Sequence, residues 1–91
     1  MEKKNNYYVY ILKCKDGSLY TGYTNDLEKR ISRHESGKGA KYTRGRGPFQ
    51  LVYYRSFATK QEALQQEYRI KKLPKIQKKR LIKSYTEGHD E

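Results

Sequence analysis

YVYILKCKDGSLYTGYT, residues 8–24, is the stretch whose reading decides the fold. Residues 7–14 and 18–24 are rich in aromatic and β-branched side chains, and Asp16-Gly17 lies between them, which is a hairpin signal. Four tyrosines, Tyr8, Tyr10, Tyr20 and Tyr23, flank that turn. Register decides which of them meet. A two-residue turn at Asp16-Gly17 would pair Tyr10 with Tyr23 and Tyr20 with Lys13, sending Tyr10 and Tyr20 to opposite faces. A three-residue loop, Lys15-Asp16-Gly17 with Gly17 left-handed, pairs Leu12 with Tyr20 and Tyr10 with Gly22. We expect the three-residue loop, with Tyr8, Tyr10 and Tyr20 sharing one face.

Working outward, TNDLEKRISRHESGKG reads as a helix, with Asn25 as N-cap, Glu28 three residues on and Gly37 as the stop. Residues 38–48, KGAKYTRGRGP, are basic and glycine-rich without an apolar period, which predicts a flexible loop. FQLVYYRSF, residues 49–57, alternates as a third strand. Thr59 caps a helix running to about Lys72, and Pro74 starts another to about Lys83. The expected fold is α+β: a three-stranded, mainly antiparallel sheet flanked by three helices in the order β-β-α-β-α-α. One domain spans 7–83, between a flexible start (1–6) and a polar, frayed tail (84–91).

With 91 residues, of which 34% are hydrophobic, the core must be thin, and tyrosine rings have to supply part of it. Cys14 stands alone, which excludes an intramolecular disulfide and fits a reducing compartment. No apolar run is long enough to span a membrane, and MEKKNN is not a secretory leader. A soluble, cytoplasmic monomer is expected. The net charge of +11 on so short a chain points to a polyanionic partner, and nucleic acid is the usual one. The charge is clustered. KKLPKIQKKRLIK, residues 71–83, carries no acid, so Lys71, Lys72, Lys75, Lys78, Lys79 and Arg80 join Lys38, Lys41, Arg44 and Arg46 of the loop as candidate phosphate contacts.

Two helices place polar residues where a core stripe belongs. Leu27, Arg30, Ile31 and His34 fall on one face of the first. Arg30 could lay its stem along the core edge and His34 could cap the last turn, or both could face a site. In the later helix Glu67 shares a stripe with Ala63, Leu64, Ile70 and Lys71. An inward carboxylate has to be paired or metal-bound. The two readings are an ion pair with Arg30 and a ligand for a hard cation such as Mg²⁺.

These residues resemble a known family. Tyr8-Val9-Tyr10 and Tyr20-Thr21-Gly22 stand where GIY-YIG nuclease domains carry their two tripeptides, with Arg30, His34 and Glu67 following in family order. The chain is most similar to the small stand-alone bacterial members. The resemblance implies phosphodiester hydrolysis, on DNA more than RNA, with one divalent metal, Mg²⁺ or Mn²⁺. It implies Glu67 as metal ligand, Arg30 as phosphate clamp, Tyr10 and Tyr20 as the phenols that position or deprotonate water, His34 as proton relay and Gly22 as the residue that permits close approach. Unperturbed phenols titrate near ~10, so a phenol acting as base would need Arg30, His34 or the metal to favour its phenolate. Tyr8 replaces the usual leading Gly, Thr21 the usual Ile, and Tyr23 a Lys found in some relatives; no Asn follows Glu67. The alternative is a nucleic-acid-binding protein that keeps the fold with little or no turnover.

Overall fold

The computed structural model describes residues 6–88. The expected flexible start lies outside the described residues except for Asn6, as do positions 89–91 of the expected tail. Strands β1 (Tyr7–Lys13), β2 (Leu19–Thr24) and β3 (Gln50–Phe57) form one antiparallel sheet in the order β2-β1-β3. Helix α1 (Leu27–Glu35) follows the hairpin, and α2 (Lys60–Lys72) and α3 (Lys75–Gly88) follow β3. A 3₁₀ turn, Lys41–Thr43, interrupts the basic loop.

The hairpin takes the odd register. Leu12 pairs with Tyr20 and Tyr10 with Gly22, and Gly17 is left-handed at φ +86°. Asp16 holds the turn by accepting from the Ser18 amide and hydroxyl. Tyr8, Tyr10 and Tyr20 therefore share a face with Gly22, while Val9, Ile11 and Tyr23 point the other way.

As the central strand, β1 is covered on both sides, which is why Val9 through Leu12 are all buried. Val9 and Ile11 meet Tyr53, with Ala63 and Ile70 of α2, and Leu81, Ile82 and Tyr85 of α3 close that core. On the opposite face Tyr10 packs against His34 of α1, which in turn meets Thr43 and Phe49 of the 38–49 segment.

Two boundaries and the facing of one residue differ from the sequence reading. The N-cap of α1 is Asp26, not Asn25: Asp26 Oδ1 accepts from Lys29 N at 3.2 Å. Thr24 Oγ1 accepts the Asp26 amide at 3.1 Å and keeps the chain extended one residue further. Helix α3 runs on to Gly88 rather than ending at Lys83, because Tyr85 continues the Leu81–Ile82 face and packs on Tyr53 and Tyr54. Leu64, expected in the inward stripe of α2, is 40% exposed. Ala63 and Ile70 are the buried residues of that helix, with Glu67 half-buried between them at helical spacing.

Candidate active site

The inward stripe of α1 forms as its spacing predicts, since Leu27, Arg30, Ile31 and His34 are the residues of that helix withdrawn from solvent. Gly22 supplies the space opposite. A Cβ on Gly22 would lie 2.5 Å from Tyr10 Oη, so the Tyr10 ring lies flat across the β2 backbone at that point. Its hydroxyl reaches His34 Nε2 at 2.9 Å, and Arg30 Nε donates to the same oxygen at 3.3 Å.

The proton directions in this network can be assigned from one end. Thr43 donates its hydroxyl hydrogen to the Ala40 carbonyl at 2.9 Å, leaving Oγ1 to accept. The group 2.9 Å from that oxygen is His34 Nδ1, which must therefore carry the ring proton. In a neutral imidazole the other nitrogen then accepts, so Tyr10 is the donor to Nε2. Arg30 completes the Tyr10 hydroxyl by donating to its oxygen. Burial is the main reason that the Tyr10 phenol is pushed up to about 12, against the pull of Arg30. Burial again, with the Arg30 charge second, pushes His34 down to about 4. At neutral pH Tyr10 keeps its proton and His34 takes none, in agreement with the hydrogen-bond directions.

Tyr20 differs from Tyr10 in exposure. Tyr10 is fully buried, whereas Tyr20 is half-buried at the edge of the sheet. Its ring packs against His34 with centroids 5.2 Å apart and stacks on Tyr42 at 5.9 Å. Tyr20 also acts on Arg30, which both phenols hold in its charged form, Tyr10 most strongly. Arg46 covers the Tyr42 ring at 4.7 Å and is tied to Asp16 at 2.7 Å, so the hairpin loop and the basic loop brace each other around Tyr20.

Glu67 approaches from the other side of the sheet. It stands on α2, which packs against β1 and β2, and its carboxylate pushes the phenols of Tyr10 and Tyr23 upward, in each case behind burial. It does not pair with Arg30. Its partner is Lys71 at 2.9 Å, one turn along the same helix. Tyr10, Tyr20, Arg30 and His34 thus gather on one face of the sheet, and Glu67 stands half-buried on the helix that covers the other.

A model of the GIY-YIG catalytic domain matches residues 6–88. The chain belongs to the GIY-YIG family. The UPF0213 protein OB0043 of Oceanobacillus iheyensis is 64% identical over 76 residues, covering 84% of this chain and 88% of that protein. The UPF0213 protein YazA of Bacillus subtilis is 54% identical over 78 residues, 86% of this chain and 79% of that one. Two solution NMR structures are similar. The UPF0213 protein BH0048 from Bacillus halodurans has 58% identity and a TM-score of 0.57, covering 85% of this chain and 82% of its own. EF2693 from E. faecalis has 42% identity and a TM-score of 0.62, covering 93% and 91%.

Within this GIY-YIG domain the candidate phosphate contacts do not form one surface. Lys38, Lys41 and Arg44 are exposed on the loop that packs over the Tyr10 face. Lys75, Lys79 and Arg80 are exposed on α3, with Lys78 half-buried beside them, and α3 packs on the Val9 face. Arg46, Lys71 and Lys72 are engaged with Asp16, Glu67 and the Tyr68 ring respectively. Among the described residues no three His, Cys, Asp or Glu side chains gather at one point. A single carboxylate still suits a hard cation such as Mg²⁺, which keeps several waters and takes the rest of its ligands from phosphate. Glu67 is the half-buried carboxylate of that kind here, and in this structure it is paired with Lys71.

Thr43 and Gly39 escaped the sequence reading. Thr43 is buried and sets the His34 tautomer, while a Cβ on Gly39 would strike the His34 ring. The glycine-rich, aperiodic composition that marked 38–48 as a loop is the one signal of close packing there.

Proposed function

We propose that this protein is a divalent-metal-dependent endonuclease that hydrolyses DNA phosphodiester bonds. The observation that carries this reading is Arg30. A guanidinium drawn onto the inward face of α1, anchored at Nε by Tyr10 and flanked by Tyr20, has no structural need for a second phenol. Its remaining N–H groups suit the non-bridging oxygens of a phosphate, where a planar, permanently charged fork stabilises developing charge. Glu67 is the residue that holds Mg²⁺ or Mn²⁺, which when bound offsets negative charge on the phosphate and leaving oxygen.

The phenols divide the work. Tyr10 is sealed from solvent and its proton is committed to His34, so it fixes Arg30 rather than touching water. Tyr20 is the phenol within reach of substrate and orients the attacking water. His34, with both ring nitrogens engaged, holds Tyr10 and supports the Tyr20 ring instead of relaying protons. Two water-facing phenols thus become one.

The second reading is a nucleic-acid-binding protein without useful turnover. The Glu67–Lys71 ion pair favours it, because a carboxylate so occupied is a structural element of α2. Incubation of the protein and of Glu67→Ala with branched, single-stranded and duplex DNA separates the two, with Mg²⁺, Mn²⁺ or chelator present. The nuclease reading expects cleavage that needs metal and is lost in the variant while binding persists. If both proteins bind alike and neither cuts, the binding reading stands instead.

A further inference from the structure

We propose that the nucleic-acid backbone runs along the β2 flank of α1, where Lys29 and Arg33 grip the phosphates next to the one held at Arg30. The inference rests on the nucleic-acid reading above and names the surface that the substrate meets. It differs from the sequence expectation, which gave much of the grip to residues 71–80.

Thr24, Asn25, Asp26, Lys29, Arg30 and Arg33 line a single open groove. The three cations fall at i, i+1 and i+4, and Arg30 belongs to both the groove and the Tyr10–Tyr20 cluster. The groove is therefore continuous with the candidate active site. Asp26, the acid in its wall, accepts the Lys29 backbone N–H as the helix cap and forms no side-chain ion pair. The ion pairs among the described residues are Arg46–Asp16 and Lys71–Glu67, so Lys29 and Arg33 are without a carboxylate partner.

The helix also sorts its charges. Glu28 lines a different groove with Tyr8, Tyr54 and Ser56, over β1 and β3. Cations face the β2 edge and the exposed acid of the first turn faces away from it. Like charges one turn apart repel in the free protein, and a polyanion laid across them relieves that repulsion. Helix α3 offers no comparable path to the site. Leu81, Ile82 and Tyr85 seat it on the Val9–Ile11 core, on the opposite face of the sheet from Tyr10 and Arg30. A strand or duplex seated at Arg30 meets Lys29 and Arg33 directly, and Lys38, Lys41 and Arg44 of the loop share that face.

Two double variants with the same change in net charge test this: Lys29→Gln/Arg33→Gln and Lys75→Gln/Lys79→Gln. All four side chains are exposed, so both variants are expected to fold, and circular dichroism checks it. Binding of a fluorescein-labelled oligonucleotide, as a single strand and as a duplex, is followed by anisotropy over a salt series with chelator present. The α1 variant is expected to bind about tenfold more weakly, with the slope of log K against log salt reduced by about 1.5. The α3 variant is expected to stay within about twofold of wild type. Wild-type-like binding by the α1 variant, or an equal loss in the α3 variant, overturns the inference and leaves the nuclease reading intact, since that is judged by cleavage. A wild-type protein that binds neither oligonucleotide overturns both.

Discussion

Thr43 reaches the site through one hydrogen bond, yet the direction of every proton from Ala40 to Arg30 follows from it. Thr43→Val leaves a buried Nδ1–H unpaired, a loss of about 1–3 kcal/mol, whereas Thr43→Ser keeps the acceptor and recovers most of it. Urea denaturation of the two variants measures the difference. The same histidine makes stability pH-dependent. Its pKa falls from 6.5 to about 4 in the folded protein, mainly through burial. Between those values the unfolded chain binds a proton that the folded protein excludes. Stability therefore drops as pH falls from about 6.5 to about 4, by up to ~1.4 kcal/mol per pH unit. Urea midpoints over that window check it, and His34→Gln should remove the His34 share of the slope. Arg30 and His34 were legible in the sequence because helical spacing put them beside Leu27 and Ile31. Thr43 was not, because nothing local in KGAKYTRGRGP says that its hydroxyl turns inward.

Among the elements, the hairpin depends on one glycine at its turn and another in its second strand. Gly17 permits the left-handed turn that sets the odd register, and Gly22 leaves room for the Tyr10 ring. The first was readable as arithmetic, since the three-residue loop, unlike the two-residue turn, brings Tyr10 and Tyr20 to one face. Gly22→Ala places a methyl 2.5 Å from Tyr10 Oη, 2.6 Å from Cζ and 2.9 Å from Tyr20 Cε2. Tyr10 cannot yield because its hydroxyl is bonded on both sides. We expect a loss of about 1–3 kcal/mol in thermal or chemical unfolding, and displacement of Arg30 with it. The helices were less legible than the hairpin. Apolar period alone put Leu64 inward and ended α3 at Lys83. The structure turns Ala63 and Ile70 to the sheet instead, and Tyr85 finds its partners on β3, a contact no local pattern announces.

At the scale of the molecule, a thin sheet is covered on both faces, and the candidate site residues come from both of them. Arg30 and Tyr20 come from the α1 face and Glu67 from α2. The net charge of +11 announced a polyanionic partner, but composition could not say that seven of the ten candidate phosphate contacts lie on the Val9 face or are already engaged. The proposed nuclease chemistry accordingly assigns the contacts with substrate and metal to Arg30, Tyr20 and Glu67, with Tyr10 and His34 behind Arg30. The direct test is metal-dependent cleavage of labelled DNA by wild type, Tyr20→Phe and Tyr10→Phe, with binding measured on the same preparations. Wild type should cut only with Mg²⁺ or Mn²⁺. Tyr20→Phe should bind normally and lose about 100-fold or more in cleavage rate. Tyr10→Phe should show its main loss in stability, about 1–3 kcal/mol, because His34 and Arg30 are left without the hydroxyl between them. A Tyr20→Phe protein that cleaves at the wild-type rate, or a wild type that binds and never cuts, would contradict the account.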